Sequence, residues 1–168
     1  MSCLAAASAF GQTLPSPQDG DIRVMYFEAL DQTEVWLTLE PKSPAGEKLP
    51  IFLVLRATFP GRRPVAAPAH LEVRADVDRL WAPTPELRLV ADEKALAFEP
   101  PGPSPVYAGS TMTAVAGAVS PATLERMATA RTLGGNALRL DFALDAAQRA
   151  AIGRFTKRVL SADPARSE

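Results

Sequence analysis

Glu34-Val35-Trp36-Leu37-Thr38-Leu39-Glu40 alternates apolar and polar side chains without a break. In an extended chain successive side chains point to opposite faces, so Val35, Leu37 and Leu39 share one face and Trp36 and Thr38 the other. This period of two predicts a half-buried strand. Upstream, Ile22-Arg23-Val24-Met25-Tyr26-Phe27 reads the same way, and the polar link through Asp31-Gln32-Thr33 makes the two runs an antiparallel hairpin. Downstream, Ser43-Pro44-Ala45-Gly46 turns a polar loop, and Ile51-Phe52-Leu53-Val54-Leu55 follows as an unbroken apolar run. Such a run predicts a central strand buried on both faces, ending at Pro60-Gly61.

The pattern persists through the middle of the chain. His70 to Val77 alternates cleanly, with Leu71, Val73, Ala75 and Val77 inward. Glu86-Leu87-Arg88-Leu89-Val90 and Ala95-Leu96-Ala97-Phe98-Glu99 flank Asp92-Glu93-Lys94 as a second hairpin. Pro100 to Pro105 then predicts an extended, non-helical crossing. Met112 to Val119 reads as a strand.

The last third adds helices. Ser120-Pro121 is a helix start, with Ser as N-cap and Pro where its missing N–H costs nothing; Leu124, Met127 and Ala128 give that helix an apolar stripe. Leu133 to Leu138 contains Gly134-Gly135-Asn136 and predicts a tight turn into the alternating run Leu138 to Phe142. Asp145, with Gln148 three residues on, forms a capping box for a helix that buries Ile152, Phe155, Val159 and Leu160. Strands first and helices last predict a mainly β fold, an antiparallel β-sandwich or curved sheet with two helices in the C-terminal third; α+β is the alternative label. Residues 21–160 read as a single β-rich domain, 1–20 as a signal-peptide remnant or disordered leader, and 161–168 as a polar tail.

Composition narrows the function classes. The 168 residues carry a formal net charge of −1 with Lys and Arg scattered, which predicts no nucleic-acid partner. No run approaches the ~20 apolar residues of a membrane span, so no membrane insertion of the mature domain is expected. With Cys3 and His70 the sole cysteine and histidine, neither a zinc site nor a Cys–His pair can assemble, and no metal or cofactor is expected. Leu4 to Phe10 is apolar, and Ala7-Ser8-Ala9 fits a signal-peptidase site, with a second cut after Gly11; no Lys or Arg precedes it, as when a true start lies upstream. The expectation is therefore a periplasmic or secreted protein, cytoplasmic if the leader is not processed. Residues ahead of Cys3 do not complete a lipidation signal.

Individual residues offer little chemistry. His70 falls on the outward face beside Glu72 and Arg74, where a solvated histidine belongs; Ser110, in Ala108-Gly109-Ser110-Thr111, lacks the glycine of a nucleophile elbow. Asp76, Asp78, Asp92, Glu93 and Asp141 are eligible for a carboxylate pair or a calcium site, yet each sits in a turn or on a polar strand face, and no calcium-loop motif is present. Trp36, turned from the apolar face, and Trp81, in Arg79-Leu80-Trp81-Ala82-Pro83, are the candidate partner-binding residues, because an exposed indole gives a large contact at small entropic cost. These features predict an exported bacterial binding domain of the cell envelope, non-enzymatic, with a protein partner rather than a carbohydrate. The alternatives are a small hydrolase using a carboxylate pair or Ser110 with His70, and a structural subunit of an envelope assembly.

Overall fold

The computed structural model describes residues 18–62, 67–77 and 85–161. Ten strands form two antiparallel sheets, and two helices follow in the C-terminal third. The larger sheet has the order β1-β2-β3-β4-β8-β7, from β1 (Ile22–Phe27), β2 (Gln32–Leu39), β3 (Ile51–Pro60), β4 (His70–Val77), β7 (Ser104–Ala108) and β8 (Thr111–Ala118). The smaller has the order β10-β9-β5-β6, from β5 (Leu87–Ala91), β6 (Lys94–Ala95), β9 (Leu133–Ala137) and β10 (Leu140–Ala143). This is the mainly β, sandwich-like architecture that the period of two predicts, and neither sheet closes into a barrel.

One continuous apolar core joins both sheets and both helices. Leu37, Leu53, Leu55 and Val73 line it from the larger sheet, Leu89 and Phe142 from the smaller, and Met127 and Phe155 from α1 (Pro121–Thr129) and α2 (Ala146–Leu160). Ser120 caps α1 by accepting a hydrogen bond from the Thr123 N–H at 3.1 Å. Asp145 and Gln148 close the expected capping box on α2. Gln148 is itself buried, because its Nε2 donates to the Asp19 carboxylate and to the Glu40 carbonyl, tying α2 to the start of the larger sheet.

Three local expectations are corrected. First, Gly134 and Gly135 are not a turn but the middle of β9, the second strand of the smaller sheet. A methyl group at Gly135 would collide with the Arg88 carbonyl, and one at Gly134 with that of Phe142. Glycine is needed there because neighbouring backbones come too close for a Cβ. The turn falls later, at Leu138 and Arg139, both in the left-handed region with φ of 55° and 68°. Second, the strand after Asp92-Glu93 stops at Ala95. The next residues divide their bonds between sheets: Leu96 N–H donates to Leu89 C=O, and Glu99 N–H to Ala118 C=O. A segment bonded to two sheets cannot be a strand of either, so Leu96–Glu99 is a strap, with the Phe98 ring laid against Gly117.

Third, β3 is buried throughout its core face but only in part on the other. Ile51, Leu53, Leu55, Ala57 and Phe59 enter the core, whereas on the outer face Val54 is buried and Phe52, Arg56 and Thr58 are half-buried. The apolar run from Ile51 to Leu55 reflects a central position, with β2 and β4 on either side. The core face is the one packed by helices and the smaller sheet; long polar and aromatic side chains cover the other.

Candidate functional site

The outer face of the larger sheet carries a network of polar side chains around Trp36. Cross-strand register places Arg23, Trp36, Arg56 and Glu72 in one row, running through β1, β2, β3 and β4. The neighbouring row holds Met25, Glu34, Thr58 and His70. Alternation alone puts these residues on the same side, since the partners of core residues point inward and the next residue outward.

Glu34 organises the group. It is only 5% exposed, and its carboxylate accepts from the Trp36 indole N–H at 2.8 Å and from Gln32 Nε2 at 2.9 Å. The Arg56 guanidinium lies 3.8 Å from the same carboxylate and sits over the Trp36 ring, 5.9 Å from its centroid. Paired hydrogen bonds and an opposite charge compensate the burial of this acid. The indole is thereby held at its N–H by Glu34 and across one face by Arg56. Three fully enclosed polar atoms close by, Arg56 Nε, Thr58 Oγ1 and Glu72 Oε1, make no hydrogen bond within the protein.

The other residues singled out in the sequence fall apart in space. His70 is exposed, with Nε2 3.6 Å from Glu72 Oε2. In the β4–β8 register His70 lies level with position 120, ten residues along the chain from Ser110 in the β7–β8 turn. That is roughly 33 Å at about 3.3 Å per residue, so the two do not meet. Asp76 pairs with Arg74 at 2.9 Å, and burial raises its carboxyl above the ordinary value despite that arginine. Asp92 is engaged by the backbone N–H groups of Thr132 and Arg131, which lower its pKa. Glu93 shares its hairpin tip, while Asp141 accepts from Asn136 on the smaller sheet. Trp81, Asp78, Cys3 and residues 1–17 of the expected leader lie outside the described residues, whereas Asp19 and Gly20 bond to Gln148 and Thr38. Among the described residues no three His, Cys, Asp or Glu side chains converge as metal ligands, and no helix is long and apolar enough to cross a membrane.

Glu34, Arg56 and Glu72 are the members of the site that reading the sequence does not single out. The available signal was Arg56 itself, a charge immediately after an apolar run assigned to the interior: it requires a partner on the same face. Comparison with known families, with characterised proteins and with solved structures finds no match to the chain.

Proposed function

We propose that this chain is an exported bacterial envelope domain that binds a protein partner and performs no catalysis of its own. The carrying observation is the state of Trp36. Its N–H is taken by Glu34 and one ring face by Arg56, so it presents a fixed edge and flank rather than an open ring. Sugars are held chiefly by stacking on a free aromatic face, whereas protein hot spots are rich in Trp and Arg held in fixed geometry. The arrangement therefore favours a protein over a carbohydrate. Preorganisation lowers the entropy lost on binding.

The export reading rests on the Leu4–Phe10 run and the Ala7-Ser8-Ala9 pattern. The test is fractionation of a bacterial producer with intact-mass analysis, followed by photo-crosslinking from position 25, beside the Trp36 row. A form cut after Ala9 or Gly11 in the periplasm or medium, giving a discrete adduct lost in Trp36→Ala, is the expected result. A full-length cytoplasmic form, or an adduct indifferent to Trp36, overturns it.

A further inference from the structure

The edges of the two sheets differ in how they are guarded. At one end of the larger sheet, β7 carries Pro105 and a register shift between Val106 and Tyr107, both of which discourage a further strand. In the smaller sheet β6 is two residues long, and the outer side of β10 is engaged where Ala143 N–H donates to the Lys42 carbonyl at 2.9 Å. β1 has none of these devices. It is six residues long, free of proline, and among the described residues pairs only with β2.

The hydrogen-bond phase of β1 can be read from its first contact. Thr38 N–H donates to Asp21 C=O, and in an antiparallel pair the hydrogen-bonded positions alternate. The Asp21 carbonyl and the backbone groups of Arg23, Met25 and Phe27 therefore aim at β2, while Asp21 N–H donates to Gln18 C=O. Ile22, Val24 and Tyr26 aim theirs away from the sheet, along the edge that has no strand partner among the described residues. Val24 is also 45% exposed, an uncommon state for a large apolar side chain in this fold.

We propose that β1 pairs antiparallel with β1 of a second copy, about a two-fold axis through Val24. Opposing residues then sum to 48, so Ile22 faces Tyr26 of the second copy, Val24 faces its equivalent, and Tyr26 faces Ile22. All three outward-directed residues of each copy become hydrogen-bonded positions, and no outward backbone group of β1 is left over. The side chains match as well: aliphatic meets aromatic at two positions, β-branched meets β-branched on the axis, and Arg23 faces Met25 rather than another charge. The same-face alternation continues across the axis, so core-side residues stay on the core side. A two-fold contact of this kind closes on itself and halts at two copies.

The product is one continuous antiparallel sheet running through both copies, with two Trp36 faces on its outer side. This pairing is independent of what binds Trp36. Main-chain pairing over six residues buries less than a standard interface, so a dissociation constant on the order of 10 µM is expected.

Sedimentation of the full chain across a concentration series tests the proposal, using two substitutions chosen from the geometry. Val24→Pro removes an N–H that points away from β2, leaving the β1–β2 ladder intact. Val24→Lys sets two ammonium groups face to face on the axis. Wild type is expected to pass from monomer to dimer on concentration, with both variants weakened at least tenfold while their circular dichroism and Tm stay near wild type. In a Cys3→Ser background, Val24→Cys should oxidise to a disulfide-linked dimer. A chain that stays monomeric throughout the series, or a dimer unmoved by either substitution at Val24, overturns the proposal.

Discussion

The two sheets are built by different means. In the larger, large apolar side chains alternate with polar ones, and the strands are joined by registers that run unbroken for up to eight pairs. In the smaller, the central pairing of β5 with β9 depends on what is absent, since Gly134 and Gly135 let backbones approach where no Cβ fits. Its hairpins turn through Asp92-Glu93 and Leu138-Arg139, non-glycine residues at positive φ. One sheet is specified by side-chain volume and the other by side-chain economy. Substitutions that only change shape should therefore separate them.

The largest effects should come from the centres. Leu55→Ala in β3 empties a fully buried position and should cost about 3–4 kcal/mol in denaturant unfolding, whereas Leu55→Met, which conserves volume, should cost less than about 1.5. Gly135→Ala, a change of one methyl, should cost about 3 kcal/mol, and no side chain of similar size should recover it, because the obstacle is the Arg88 carbonyl. Equal tolerance of Ala at Gly135 and Met at Leu55 would erase the distinction between the sheets.

Smaller effects sharpen it at the margins. Asp145→Ala removes the capping box that fixes α2, and should lower stability by about 1 kcal/mol in the same unfolding measurement. Arg139→Gly, at the exposed tip of the β9–β10 hairpin, should raise it by about 1 kcal/mol, since glycine adopts φ of 68° without steric cost. In the larger sheet the one like position among the described residues is Asp31 in the β1–β2 turn, at φ of 45°, and β2, β3 and β4 themselves contain no such backbone.

The pH response is expected to be smaller still and to have two signs. Asp145 is held below its ordinary value of 3.8, first by the Gln148 N–H, and Asp92 likewise, first by the Thr132 N–H. Their contributions are present above 3.8 and are lost as pH falls through the lowered folded values. Asp76, raised first by burial, acts oppositely: its ionisation cost is absent below 3.8, grows as pH rises from there, and is complete above the raised folded value. Asp76→Asn should thus raise Tm at pH 7 and leave it near wild type at pH 3. A fall in Tm at pH 7 would show that the Arg74 contact outweighs burial.

This contrast also explains what the sequence discloses. β2, β4 and the helix starts at Ser120 and Asp145 are legible because their signals are local: a period of two, a Ser-Pro pair, a capping box. β9 is misread because two glycines report a close approach by Arg88 and Phe142, and a distant backbone leaves no trace beside them. The strand expected through Phe98 fails for the same reason, its partners being Leu89 and Ala118 in different sheets. At the candidate site Trp36 was visible by alternation. Its fixing by Glu34 was hidden because the two residues sit on one strand, two apart, and only the indole's orientation joins them.

The clasp between Gln148 and Asp19 has a consequence in time rather than in space. Asp19 lies at the start of the described domain and Gln148 in its final helix, 129 positions later. A chain emerging from the ribosome can form β2 and β3 early, but Asp19 and the Glu40 carbonyl have no Gln148 to engage until α2 appears. Contacts of such long sequence separation form late and slowly. Until then the helix-facing side of the larger sheet is uncovered, and its apolar surface is open to aggregation in that interval.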